Sequence, residues 1–268
     1  MKKLLKIILL ITLLTAPVFT TTETAEGKNL VIHRVQPPIP PTGYVTIYNE
    51  NAQGLEKYSA MVNGQKRSFY LYAPQSMRQG SPDPASAIIL LHGSGRTGVS
   101  MAENWKNSAD RHGIILVAPD ALGDRIDYAT DKPFVEALIN FLKKDRRFAP
   151  DRIYLFGHSS GAIAALPMAA ALSEKLNAAS VHAGMLLEKD HLKIIQTATT
   201  KVPVCLINGS EDKSIPPVRA RYAAQVFTDA GFNTVYVELT GHNHWYYTLA
   251  DWINEMAWKC MTTATPQH

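Results

Sequence analysis

Residues 153–172 read Ile153-Tyr154-Leu155-Phe156-Gly157-His158-Ser159-Ser160-Gly161-Ala162-Ile163-Ala164-Ala165-Leu166-Pro167-Met168-Ala169-Ala170-Ala171-Leu172. The first four are apolar and β-prone, whereas the alanine-rich run from Ala162 suits a helix. A strand that turns straight into a helix holds the residue at the turn in a strained backbone conformation and crowds the positions two before and two after it. Glycine stands at both of those positions, 157 and 161. Ser159 is therefore the residue such a turn would lift above the carboxyl edge of the strands, with a helix N-terminus behind it to favour negative charge. The frame excludes Ser160 as the centre, because His158 and Ala162 would then occupy the glycine positions.

Working outward, short apolar runs recur at Ala87–Leu91, Ile114–Ala118, Ile153–Phe156, Val181–Ala183, Val202–Ile207 and Val235–Leu239. They do not alternate with polar residues, which is the pattern of strands buried on both faces. Helical stretches near 99–111, 131–144, 160–173, 216–230 and 246–260 separate them. Alternating β and α units predict a mostly parallel central sheet with helices on both faces and right-handed crossovers. Before them, Tyr58–Val62 and Arg67–Tyr72 flank Asn63-Gly64, a dipeptide that tolerates positive φ at both positions and predicts a hairpin forming an antiparallel N-terminal edge.

The 268 residues fit one large domain, here set at 58–262 with a tail at 263–268, and 46% hydrophobic content is ample for a buried core. Met1 to Phe19 has a basic start at Lys2, Lys3 and Lys6 and an apolar run from Ile7 to Leu14 that is short for a bilayer span. Residues 1–20 thus read as a signal peptide, with cleavage after Thr20 or as late as Ala25, and the uncleaved alternative is a membrane anchor. No integral membrane span is expected after signal removal, and the protein is expected to be secreted or periplasmic. Residues 21–57 read as an extended arm that includes Gln36-Pro37-Pro38-Ile39-Pro40-Pro41. Three of the 27 Lys and Arg lie in the leader, leaving 24 against 23 acidic residues. This near-neutral balance argues against a nucleic-acid partner held by long-range charge. Cys205 and Cys260, the two cysteines, read equally as a disulfide or as free thiols.

A second chemical feature is His92-Gly93-Ser94-Gly95 after the strand 87–91. Acyl transfer develops an oxyanion, and backbone N–H donors aimed at it are worth roughly 3 kcal/mol each. The N–H after the nucleophile, Ser160, and one from this earlier loop, Ser94, are the expected pair.

These motifs resemble secreted esterases of the poly(3-hydroxybutyrate) depolymerase and feruloyl esterase type, within the α/β-hydrolase superfamily. The resemblance spans about residues 60–258 and rests on Leu91-His92-Gly93, Val117-Ala118-Pro119-Asp120, Asp151-Arg152-Ile153-Tyr154, Ala179–Gly184 and Asn208-Gly209-Ser210-Glu211-Asp212. It implies the α/β-hydrolase fold and hydrolysis of a small-molecule or polymer-linked ester without a cofactor. It also implies an acid at Asp212, with Glu211 as the alternative, because the order in this fold is Ser, acid, His. The base then comes from Gly241-His242-Asn243-His244-Trp245-Tyr246-Tyr247. His244 is preferred, since related hydrolases often place an aromatic pair after the base; His242 is the alternative. A metal held by this His-x-His pair is not expected, for want of a third ligand.

Trp105, Asp127, Tyr128 and Trp245 are candidate substrate-binding residues, since aromatic rings offer broad apolar contact. His33, His112, His158, His182 and His191 read as structural or solvent-facing. Two rival functions share the sequence: a serine peptidase of the same fold, and a hydrolase-derived binding protein without turnover.

Overall fold

The computed structural model describes residues 19–24, 30–39, 53–78, 86–145, 147 and 149–263. In chain order these form β1 (Phe19–Thr24), β2 (Val31–Val35), β3 (Glu56–Val62), β4 (Gln65–Tyr72), α1 (Gln75–Arg78), β5 (Ser86–Leu91), α2 (Gly98–His112), β6 (Ile114–Pro119) and α3 (Tyr128–Lys144). There follow β7 (Arg152–His158), α4 (Ser160–Ala171), β8 (Ala178–His182), α5 (Lys189–Thr197), β9 (Val204–Gly209), α6 (Pro217–Asp229), β10 (Thr234–Leu239) and α7 (Ala250–Thr263).

Among the described residues the strands make one ten-stranded sheet in the order β1-β2-β10-β9-β8-β7-β5-β6-β4-β3. From β2 through β6 every neighbouring pair is parallel. Antiparallel pairs close both edges, β1 on β2 and β3–β4 beside β6. The turn of the β3–β4 hairpin has positive φ at Asn63 and Gly64, as that dipeptide allows.

The apolar runs are continuous because each strand feeds two cores. In β5, Ile89 and Leu91 face one layer and Ile88 and Leu90 the other; in β9, Val204 and Leu206 oppose Cys205 and Ile207. Residues of α3, α4 and α6 fill the first layer, and residues of α2 and α7 fill the second. This alternation aims Cys205 at α7, where it forms a disulfide with Cys260 across a Cα separation of 6.3 Å.

Two features differ from expectation. The stretch read as an arm contributes β2 and the last four residues of β1, whose first two, Phe19 and Thr20, fall in the segment read as the signal peptide, and β2 pairs parallel with β10 over residues 32–35. Its buried Ile32 and Val35 supply the side chains that seat it. Of the proline-rich run, residues 36–39 follow β2 without regular structure and residues 40–41 fall outside the described residues, as does most of the signal segment. Residues 189–197, not foreseen as a helix, form α5, which buries only His191 and Ile195 and so carries a weak apolar pattern. Among the described residues no helix is long and apolar enough to cross a membrane.

Candidate active site

The site is assembled at the carboxyl ends of β5, β7, β9 and β10. Ser159, between β7 and α4, has φ 54° and ψ −118°, a conformation costly for a residue with a side chain. The surrounding structure enforces it: the Ser159 N–H donates to the His182 carbonyl oxygen at 3.1 Å, and the Ile163 N–H donates to that of Ser159 at 2.9 Å. A Cβ added at Gly157 would collide with the Gly161 carbonyl, and one at Gly161 with the Leu91 carbonyl. Both glycines are thus required by close backbone approach, as the strand-to-helix turn demands.

His244 lies between Ser159 and Asp212. Its Nε2 is 3.0 Å from Ser159 Oγ and its Nδ1 2.8 Å from Asp212 Oδ2. A carboxylate only accepts, so the ring proton sits on Nδ1 and Nε2 offers its lone pair to the serine hydroxyl. Asp212 is buried, and its Oδ1 accepts the N–H groups of Ser214 at 2.9 Å and Ile215 at 2.8 Å. Those two bonds fix the carboxylate so that Oδ2 faces the imidazole. The loops after β9 and β10 are laced together: the Glu211 N–H donates to the His242 carbonyl at 2.9 Å, and the Gly241 N–H to Ser210 Oγ at 2.8 Å. His244 rather than His242 therefore contacts Ser159, and Asp212 rather than Glu211 contacts His244.

The loop after β5 abuts this line. A Cβ on Gly93 would come within 3.3 Å of Ser159 Cβ. The Gly95 N–H is taken by the Asp124 carbonyl at 2.8 Å, whereas among the described residues those of Ser94 and Ser160 have no backbone acceptor. Beneath, His92 Nε2 accepts the Ala121 N–H at 3.0 Å, so its Nδ1 carries the proton and donates to the Gly93 carbonyl at 2.8 Å. Burial lowers the pKa of His92, in keeping with a neutral ring that braces the loop.

A row of histidines was not foreseen as part of the site. His158 Nδ1 lies 3.1 Å from His182 Nδ1, and His182 Nε2 lies 3.2 Å from His242 Nε2. The His158 ring also sits 5.3 Å from that of His244 and stacks at 5.0 Å on Tyr246. Burial, then the neighbouring imidazoles, pushes His158 down to about 3; burial takes His242 down to about 4 and His182 well below the usual histidine range. All three are neutral near pH 7. The signal was present only as histidines at the ends of two strands and in the base loop.

The proposed substrate-binding residues separate. Trp105 is fully buried on α2, edge-on to Phe156 at 4.9 Å, and belongs to the core: its apolar surface is consumed by packing under the sheet. Asp127 caps α3, its Oδ1 accepting the N–H groups of Ala129 and Thr130. Asp127 and Tyr128 also line a cavity of about 70 Å³ that reaches Ser160, together with Ile126, Ile163, Leu187 and His191. The loop carrying them is held by the buried ion pair of Arg67 and Asp131, with Asp131 Oδ2 accepting the Asp127 N–H at 2.7 Å. Trp245 lines an open depression of about 570 Å³ on the other side, with His244, Asn243, Glu211 and Lys213. Ile163 was not singled out in the sequence, although its place four residues after Ser159 puts it one helical turn beyond the serine.

A family model described as phospholipase/carboxylesterase matches residues 124–257, half of the chain. A poly(3-hydroxybutyrate) depolymerase from Ralstonia pickettii is 29% identical over 123 residues, which cover 37% of this chain and 25% of that protein; the chain thus spans about a quarter of the length of this curated relative. Among solved structures, Est1E from Butyrivibrio proteoclasticus superposes with a TM-score of 0.61 at 15% identity, over 79% of this chain and 98% of that one. Dienelactone hydrolase from Anabaena variabilis gives 0.63 at 17%, over 79% and 99%. At these identities the likeness is one of fold, and the fold is that of the α/β-hydrolases.

Proposed function

The chain belongs to the phospholipase/carboxylesterase family, and on that premise we propose that it is a serine hydrolase that cleaves carboxylic esters through an acyl-enzyme on Ser159. The observation that carries this reading is the unbroken hydrogen-bonded line from Ser159 Oγ through His244 to Asp212. In the proposed reaction His244 Nε2 takes the hydroxyl proton as Ser159 Oγ attacks the ester carbonyl carbon. The N–H groups of Ser94 and Ser160 receive the oxyanion. The tetrahedral intermediate then expels the alcohol oxygen, which leaves with the proton from His244. Water repeats the sequence on the acyl-enzyme: His244 removes its proton, the acid departs, and Ser159 regains its hydrogen. Asp212 holds the imidazole in the required tautomer and stabilises the imidazolium formed twice per turnover.

Export is part of the proposal. It is supported by the basic-then-apolar start of the chain and by the disulfide, a bond that persists in oxidising compartments.

The test is Ser159→Ala, assayed on phenyl and nitrophenyl esters beside a panel of dipeptide amides, with fluorophosphonate labelling of the wild type. Ester turnover lost to below a few per cent, with covalent labelling at Ser159, is the expected result. Faster turnover of the amides than of the esters by wild type would favour a peptidase, and an unlabelled Ser159 would favour a binding protein.

A further inference from the structure

We propose that the cavity beside Ser160 is the subsite for the acyl half of the ester, and that it admits short aliphatic acyl groups while rejecting aromatic ones. This rests on the function proposed above.

The assignment of halves follows from the chemistry. His244 Nε2 must hand its proton to the departing oxygen, so the alcohol lies on the side of His244. That side opens into the depression of about 570 Å³ lined by Asn243, Trp245, Lys213 and Ser214, wide and solvent-facing, where an alcohol of almost any bulk is accommodated. The oxyanion occupies the N–H groups of Ser94 and Ser160. The remaining substituent of the tetrahedral carbon, the acyl chain, is left the cavity that Ser160 itself lines.

Size then decides the class. A cavity of about 150 Å³ takes up benzene. A cavity of about 70 Å³, just under half the volume that takes up the six carbons of benzene, therefore holds roughly three chain carbons beyond the carbonyl and less than half of a ring. The walls do not yield readily. Ala164 is buried on α4, Ile126 is buried under the loop before α3, and Ser160 Oγ is tied to the His92 carbonyl at 3.5 Å. Arg125, Leu187 and Glu188 line its solvent side and are exposed; of these Leu187, between β8 and α5 and 58% exposed, is the apolar one, and it flanks the pocket without belonging to the core. Leu187 is accordingly the apolar wall through which specificity can be altered, and a surface position of this kind can be changed with little effect on stability.

The experiment compares kcat/KM for nitrophenyl acetate, butyrate, octanoate and benzoate, each divided by its rate of alkaline hydrolysis, in wild type, Leu187→Ala and Leu187→Trp. One methylene too many in an apolar pocket costs roughly 10- to 200-fold. Wild type is expected to favour butyrate over benzoate and octanoate by about 100-fold. Leu187→Ala should narrow the butyrate-to-benzoate gap about tenfold by raising benzoate, and Leu187→Trp should lower butyrate relative to acetate by a similar factor. Benzoate or octanoate within about threefold of butyrate in wild type, or ratios unmoved in both variants, would overturn the inference. Should one variant fail to fold, the wild-type profile and the other variant still decide. A wild type that cleaves none of the four esters refutes the function itself, whereas brisk Ser159-dependent turnover with a flat acyl profile refutes only the subsite.

Discussion

Breaking the Cys205–Cys260 disulfide should lower stability by about 4 kcal/mol and leave the native structure and its activity intact. The bond closes a loop across a sequence separation of 55. The chain-entropy relation gives about 14 cal/mol/K for a loop of that length, or about 4 kcal/mol at 25 °C. The native state should hardly notice the loss, because α7 is docked by other contacts. Asn254 Nδ2 donates to the Asn104 carbonyl at 2.7 Å, Glu255 accepts from Ser108 and Arg111 of α2, and Trp258 packs edge-on to Tyr154 at 5.2 Å. The effect therefore acts on the unfolded chain, which regains freedom. Cys260→Ser is the better variant, since Cys205 is buried and a hydroxyl there would be desolvated. At about 2–4 °C per kcal/mol for a chain of this size, the melting temperature should fall by roughly 10 °C. Urea unfolding should show a larger m-value as well, because the released chain exposes more surface. Esterase activity at 25 °C is the control. A fall of less than about 3 °C, or loss of activity at 25 °C with the melting temperature unchanged, would refute the placement of the effect in the unfolded state.

Asp212→Asn should leave the fold in place, since the amide oxygen can still accept from Ser214 and Ile215, but its NH₂ would face His244 Nδ1 and drive the proton to Nε2. With the wrong tautomer against Ser159, kcat should drop by about 10⁴, read in ester assays beside an unchanged circular dichroism spectrum. Acid should destabilise the protein through the histidine row. His242 and His158, lowered to about 4 and about 3, stay neutral when folded but titrate near 6.5 when unfolded, so their favourable contribution is complete above pH 6.5 and is lost as pH falls toward 4. His242 alone would remove about 3 kcal/mol over that window, and urea midpoints independent of pH between 4 and 6.5 would contradict it.

The parts legible in the sequence are those where backbone sterics or two-sided burial leave few choices. Gly157 and Gly161 announce Ser159 because no other residue fits against the Gly161 and Leu91 carbonyls. The strands β5 to β10 announce themselves because each packs on both faces. What escaped detection lacked such constraints. β2 is five residues long with only Ile32 and Val35 buried among them, and it is recruited by the edge of β10. Trp105 is a pocket candidate in the sequence because an aromatic ring suits a pocket and a core equally, yet it faces Phe156 under the sheet. The choice between His242 and His244 is invisible to spacing. Two residues apart in one loop, they are separated only by how Gly209, whose added Cβ would meet the His242 carbonyl, lets the base loop fold down against β9.

The sheet order explains why the unforeseen histidines belong to the site. Ser159 follows β7 and His244 follows β10, with β8 and β9 between them, so three strand spacings, roughly 14 Å, separate the strands that carry serine and base. The base loop must lean back across that gap for His244 to reach Ser159. β8 contributes none of the three residues in the hydrogen-bonded line, but its last residue, His182, touches His158 at the end of β7 and His242 in the base loop. Its carbonyl meanwhile holds the Ser159 N–H. His182 is thus a bridge under the leaning loop. A neutral imidazole suits that place better than a charged group of the same reach. A cation would oppose the positive charge that the proposed reaction develops on His244, whose ring lies 5.3 Å from that of His158. Burial, the main cause of the lowered pKa values, thereby keeps the bridge from competing with His244 in its proposed role as base.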